Sequence, residues 1–214
     1  MNPVIDAPQS QVGAAHLPIQ RLGSRDRAAI TQHLLALGST DRHLRFGAML
    51  SDLGIASYVE RIAFGRDAVF GVRDAKLRLL GMAHVAFDQS GAELGLSVTP
   101  DARRRGIGSA LLGRATAHAR SRGAERLVVH CLTENAVMMH LARRAGMQVR
   151  GAAGESDGAL LLPRPDAEVL AGELVSDQLG WYDFGLKSQA ALWAQFAGPW
   201  SGAVAIADAP PHAA

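Results

Sequence analysis

A mixed α/β (α+β) fold, with helices covering a central sheet, is what this sequence predicts. Three observations carry the expectation. The hydrophobic period changes from helical to alternating near residue 68 and back to helical near residue 106. Turn residues cut the alternating stretch into three runs, the pattern of consecutive antiparallel strands. No internal repeat and no apolar run of about 18 residues is present, so neither a solenoid nor a membrane-spanning helix is expected.

Taken in order, residues 1–16 mix Pro, Gln, Ser, Gly and Ala without periodicity and read as a flexible tail. Leu17 to Leu22 alternates as a first strand. Ser24 is expected to cap a helix through Ala28, Ala29, Leu34 and Leu37 that stops at Gly38. A second helical stretch over 40–63 carries Leu44, Phe46, Leu50, Leu53 and Val59, with Gly47 and Gly54 expected to break it. Strands follow at Ala68–Arg73, Leu77–Phe87 and Glu93–Val98, joined by turns at Arg73–Lys76 and Asp88–Gly91. A helix over 106–122 puts Ile107, Leu111, Ala115 and Ala119 on one face and ends at Gly123. Arg126–Leu132 is a β-rich strand, and a helix over 135–145 is stopped by Gly146. Gly158–Leu162 closes the core as a last strand, and Pro163 and Pro165 mark the boundary of a domain spanning 17–162. A helical, aromatic-rich extension fills 163–196 (Trp181, Tyr182, Phe184, Trp193, Phe196), followed by an Ala- and Pro-rich tail over 197–214. The extension reads either as a core contact or as a subunit contact, the second of which would make a homodimer.

Composition excludes several function classes. With 48% hydrophobic and 20% charged residues, the chain of 214 residues is an ordinary globular sequence. A net charge of +2 does not predict a nucleic-acid partner. Lys76 and Lys187 are the only lysines, every other cation being arginine, whose planar donors suit phosphate. The single Cys131 excludes an internal disulfide, and the histidines show no His-x-x-x-His pair, so no metal is expected. The first cationic side chain is Arg21, and Asp6 and Pro8 interrupt the start, so no secretory signal is expected and the cytoplasm is the expected compartment, without a membrane partner.

The chemistry concentrates between Glu93 and Ser109. A strand ends at Val98, and a helix starts near Gly108, with Arg103, Arg104, Arg105 and Gly106 at the turn between them. A helix N-terminus presents unpaired N–H groups and partial positive charge. Glycine lets a phosphate approach the backbone, and arginines add charge-assisted donors. Together they describe a pyrophosphate cradle. A Walker loop would need a Gly-Lys-Ser/Thr run, and a dinucleotide fingerprint would need glycine where Leu111 stands.

Arg103-Arg-Arg-Gly106-Ile-Gly108 resembles the Arg/Gln-x-x-Gly-x-Gly/Ala signature of the GNAT superfamily of N-acetyltransferases, and Asn135, opening a helix that ends in Gly146-Met147, resembles its second motif. The resemblance runs from about Leu17 to Leu162. It implies the GNAT fold: a mixed, mainly antiparallel sheet whose strand at 93–98 splays from the strand at 126–132. It also implies acetyl-CoA as cosubstrate, with the pantetheine arm pairing along Leu96, Ser97 and Val98. The pyrophosphate would rest on the cradle of Arg103, Arg104, Arg105, Gly106, Ile107, Gly108 and Ser109, with Asn135 nearby. The acyl group would pass directly to an amine in a ternary complex. A lysine-like amine has a pKa near 10.4, so fewer than ~1 in 1,000 is neutral at pH 7 and a general base is needed. Glu93, beginning the cofactor strand, is the candidate. The family often has a tyrosine seven residues after the asparagine, to protonate the leaving thiolate. Here Ala142 occupies that position, which leaves water, Tyr58 or Tyr182 as the proton donor and a non-catalytic acyl-CoA-binding or interaction module as the competing class. Ser39-Thr-Asp-Arg-His-Leu-Arg-Phe46 is similar to an element in the acetyltransferase domain of bacterial Pat-type protein-lysine acetyltransferases. That implies Arg42, Arg45 and Phe46 on the acceptor side and a protein lysine, or else a small amine, as acceptor.

Overall fold

Strand β1 (Gln20–Leu22) pairs antiparallel with β2 (Ala68–Arg73), β2 with β3 (Leu79–Asp88) and β3 with β4 (Gly91–Val98). Beyond β4 lie β5 (Arg126–Leu132), β7 (Glu155–Leu161) and β6 (Gln148–Ala152), with β7 antiparallel to both β5 and β6, so the sheet runs β1-β2-β3-β4-β5-β7-β6. The computed structural model describes residues 17–89, 91–152 and 154–197; the expected tail at 1–16 lies outside the described residues, as does all of the expected tail at 197–214 but Ala197, which ends the last helix.

The two halves of the sheet meet in one short parallel pairing. β4 and β5 are in register only at Ala92 with Leu127 and Glu93 with Val128. From Leu94 onward β4 keeps its partner β3, as in Leu96 with Ala83 and Val98 with Gly81, while no described strand pairs its other edge.

Alternation along the strands builds two cores. Phe70, Val85, Leu94 and Leu127 point to one side, where Ile107, Leu111 and Ala115 of α4 (Ile107–Ser121) cover them. Val69 and Met82 point to the other, against Ile30 and Leu34 of α1 (Arg27–Leu35) and Ile55 and Val59 of α3 (Asp52–Glu60). Each of the fully buried Val, Leu, Ile, Phe and Met side chains among them contributes roughly 1.5–3 kcal/mol relative to exposure. The same alternation sets His84, Glu93, Gly95 and Ser97 on the side of α1, α3 and the intervening α2 (Ser39–Phe46).

The elements follow the expected order with local differences. Gly23, not Ser24, precedes the first helical turn, its N–H held by Asp26. Gly38 caps the start of α2 rather than stopping α1, which ends at Leu35. Gly47 breaks the 40–63 stretch in a left-handed conformation, but Gly54 lies inside α3, where its N–H donates to the cap Ser51 Oγ. The second long strand starts at Leu79 rather than Leu77, and the last begins at Glu155 rather than Gly158. Asn135 caps α5 (Ala136–Arg144). The extension is a single helix, α6 (Ala167–Ala197), packed on β1 and α4, with Trp181, Tyr182 and Trp193 exposed. No described helix is long and apolar enough to cross a membrane.

Candidate active site

The separation of β4 from β5 opens a cleft of about 680 Å³ between the end of β4 and α5. Leu96, Ser97 and Val98 form one wall, and Met138 and Leu141 of α5 face them. The floor is the loop of Arg103, Arg104 and Gly106 and the first turn of α4, with Ile107, Gly108 and Ser109. Asn135 completes the lining: its side chain caps Met138 N–H and its amide donates to the Leu44 carbonyl, tying α5 to α2. Of the residues expected to hold a cofactor, Arg105 alone stands outside the lining, exposed on the loop. Arg103 is engaged across the mouth by Asp41 at 2.7 Å. The Ser97 hydroxyl is turned away from the cleft floor to buried His33, 2.9 Å from Nε2.

The loop suits an anion. Arg104 (φ 58°) and Gly106 (φ 78°) are both left-handed, a curl of the kind that gathers successive N–H groups on one side. The first N–H groups of α4 have no intrahelical acceptor, and the helix start carries partial positive charge. A Cβ at Gly108 would stand 3.2 Å from Leu141 Cδ1, so glycine leaves room between the start of α4 and α5.

A second cavity, of about 540 Å³, adjoins the first, and Arg45 lines both. Glu93 lies exposed in its wall at the last position of β4 that pairs with β5. Phe46, Tyr58 and His84 line it too, as do His130, Cys131 and Asp157. His130 Nδ1 and Asp157 pair at 2.7 Å across β5 and β7. Burial, with Asp157 nearby, pushes the Cys131 thiol up, and its Sγ donates to the Ser156 carbonyl, so it is no thiolate nucleophile. Of the three α2 residues expected on the acceptor side, Arg45 and Phe46 line this cavity. Arg42 does not: it clamps the carbonyls of Leu35, Leu37 and Leu50 and the Asp52 carboxylate.

Ala142 is buried, a Cβ at Gly158 standing 3.4 Å from its own, so it belongs to the core beneath the cleft. Tyr182 sits on α6, lining a separate hollow with Trp181 and Leu186. Tyr58 is different. Its hydroxyl is 2.7 Å from His84 Nδ1 and accepts from Arg45 Nη2 at 3.0 Å, and His84 Nε2 lies 3.3 Å from Asp67 Oδ2. The sequence singled out Tyr58 as a substitute acid but gave no signal that it pairs with His84 and, through it, with Asp67, since they come from separate parts of the chain. Among the described residues no group of three or more His, Cys, Asp or Glu side chains could hold a metal ion.

Comparison with known proteins agrees with this architecture. Residues 48–147 match the acetyltransferase (GNAT) family. The GNAT domain of PAT from S. lividans is 20% identical with a TM-score of 0.59, over 67% of this chain and 89% of that one. The spermidine N-acetyltransferase of Vibrio cholerae, solved with CoA and spermine, is 18% identical with a TM-score of 0.55, over 68% and 95%. The Salmonella typhimurium protein yncA, solved with its cofactor acetyl-CoA, is 20% identical with a TM-score of 0.52, over 70% and 97%. No curated protein matches the chain by sequence. At such identities the likenesses speak for the fold, and the family match covers most of the residues that line both cavities: the chain has the GNAT fold, and its residues 48–147 match the acetyltransferase (GNAT) family.

Proposed function

We propose that this protein is an acetyl-CoA-dependent N-acetyltransferase that moves the acetyl group directly to an amine, of a protein lysine or of a small molecule. The observation that carries the reading is the end of β4–β5 pairing at Glu93 and Val128. Beyond that point β4 offers a free edge, to which an extended amide-bearing arm adds like a strand. The same cleft ends at the start of α4, where Gly106, Ile107, Gly108 and Ser109 with Arg103 and Arg104 would receive a diphosphate. The acyl end then falls at the junction with the second cavity, and a backbone N–H of the splayed strand would polarise its carbonyl. Glu93 would take a proton from the incoming ammonium. Two residues of the Ser39–Phe46 element, Arg45 and Phe46, face that cavity, which supports a protein lysine as one acceptor.

Burial of Ala142 favours one competing reading, a module that binds acyl-CoA without turnover, because no hydroxyl reaches the cleft from that position. Calorimetry with acetyl-CoA, followed by thiol release over a panel of amines and lysine-bearing peptides, separates the two. Binding with release is expected. Binding without release on any acceptor would favour the module, and absence of binding would remove both.

A further inference from the structure

Moving an acetyl group from sulfur to an ammonium involves more protons than one carboxylate can manage. The ammonium loses one before its nitrogen can attack and another once the N–C bond forms, while the departing sulfur gains one. Glu93 accounts for the first. Ala142 cannot supply the rest.

Tyr58 lines the same cavity as Glu93, between a cation and an imidazole. Burial acts to raise the Asp67 carboxyl, but hydrogen bonds from Arg66, His84 and the Ala63 N–H outweigh it and hold the group below its ordinary value, so Asp67 is a carboxylate. Burial holds His84 below its ordinary value against the pull of Asp67, so its ring is neutral at pH 7. A neutral imidazole beside a carboxylate keeps its proton on the nitrogen facing it, here Nε2. Nδ1 is then an acceptor, and the Tyr58 O–H donates to it at 2.7 Å. Arg45, donating to the phenol oxygen, stabilises negative charge there. The arrangement follows the logic of a hydroxyl, imidazole and carboxylate in line, in which the imidazole accepts the hydroxyl proton and the carboxylate steadies the resulting cation.

We propose that Tyr58 is a second proton-transfer residue of this site, relayed by His84 and Asp67. As the amine nitrogen bonds to the acyl carbon, its remaining excess proton passes to the Tyr58 oxygen, and the phenol proton passes to His84 Nδ1. As the carbon–sulfur bond breaks, the electron pair stays on sulfur, Tyr58 gives it a proton, and His84 returns one to Tyr58. The products are an N-acetyl amine and CoA thiol, and the relay ends as it began. Tyr58 is the catalytic residue; His84 and Asp67 act through it. The inference rests on the transferase reading above.

Tyr58→Phe keeps the ring and its edge contact with Phe46 at 5.1 Å while removing only the hydroxyl. With the full chain and any amine that wild type acetylates, kcat is expected to fall about 100-fold or more, with KM for acetyl-CoA and Tm unchanged. His84→Gln should lower kcat as well, and the Tyr58→Phe/His84→Gln double variant should be no slower than Tyr58→Phe alone, because one relay is lost only once. A Tyr58→Phe kcat within twofold of wild type, or single losses that multiply in the double variant, would overturn the relay and leave the transferase standing. A wild-type chain that acetylates nothing would instead overturn the transferase reading and the relay with it.

Discussion

The guanidinium of Arg45 rests on the backbone of Gly95, in space that a side chain at that position would occupy. Arg45 also stacks on the Phe46 ring at 4.8 Å and touches both cavities, so a single close approach fixes the cation at their junction.

Gly95→Ala should therefore act on activity rather than on folding. The group displaced is the far end of a flexible side chain, so the expected cost is about 1 kcal/mol or less, roughly 2–4 °C in Tm. Moving Arg45 off the strand also takes it from the Tyr58 hydroxyl, and acetyl transfer should slow about tenfold. Steady-state rates beside thermal melts test this; a Gly95→Ala variant as fast as wild type would show that the placement of Arg45 has no part in transfer.

Gly108 stands where the diphosphate is expected. Gly108→Asp should weaken acetyl-CoA binding by at least about tenfold, or about 1.4 kcal/mol, because a carboxylate would face the anion. Gly108→Asn controls for the 3.2 Å approach to Leu141, which both variants meet alike. Calorimetry should rank wild type, then Asn, then Asp; equal losses for Asn and Asp would make the effect steric and unseat the anion site.

Glu93→Gln should lower kcat about 100-fold at neutral pH while sparing affinity for acetyl-CoA, since the side chain lies in the second cavity rather than in the cofactor cleft. The loss should shrink as pH rises and more of the amine arrives neutral. A rate unchanged at pH 7 would remove Glu93 as base.

What the sequence revealed was mostly what is contiguous in it. The end of β4, the arginine loop and the start of α4 lie within 93–109, so motif, turn chemistry and geometry could be read together. Strand β6 was not assigned, because Gln-Val-Arg-Gly-Ala has little alternation and is held by its pairing with β7. Gly54 read as a breaker, yet Ser51 caps its N–H and the helix begins around it. The relay partners Tyr58 and His84 are 26 residues apart and His84 and Asp67 are 17 apart, each with an ordinary local context. Arg114 falls on a helix that reads as amphipathic, and its burial depends on carboxylates 59 and 63 residues away.

Buried His33 predicts a pH dependence of stability. It bridges the Leu79 carbonyl and the Ser97 hydroxyl, both at 2.9 Å, and burial holds its pKa below the ordinary value. The unfolded chain therefore binds the proton first. Stability should be full above about pH 6.5 and fall as pH drops from there toward the lower folded value. His84, lowered for the same reason, adds in the same direction. Tm should decline between pH 7.5 and pH 5, and His33→Gln should flatten part of that slope. An identical slope in the variant would mean that His33 is not the group responsible.

The clasp between α4 and α6 gives the largest expected effect on stability. Arg114, 7% exposed in its side chain, donates to Glu173 at 2.7 Å and to Asp177 at 2.5 Å, while His118 Nδ1 lies 2.5 Å from the same Glu173. Burial acts to raise the Glu173 carboxyl, but His118 and Arg114 together hold it below its ordinary value. Removing this carboxylate leaves a buried guanidinium with only Asp177, at a cost of about 3 kcal/mol. Glu173→Ala should then lower Tm by roughly 6–12 °C. Removing the buried pair should cost less: Arg114→Met with Glu173→Leu places apolar side chains beside Phe70, over which Arg114 now stacks at 4.4 Å, and leaves the part-exposed Asp177 to water, so it should recover part of the loss, the unpartnered His118 keeping the rest. Thermal melts of the single and double variants decide the matter. A Glu173→Ala chain melting within 2 °C of wild type, by the same conversion of about 2–4 °C per kcal/mol, would mean that α6 is held by its apolar contacts and that the charges only set its register.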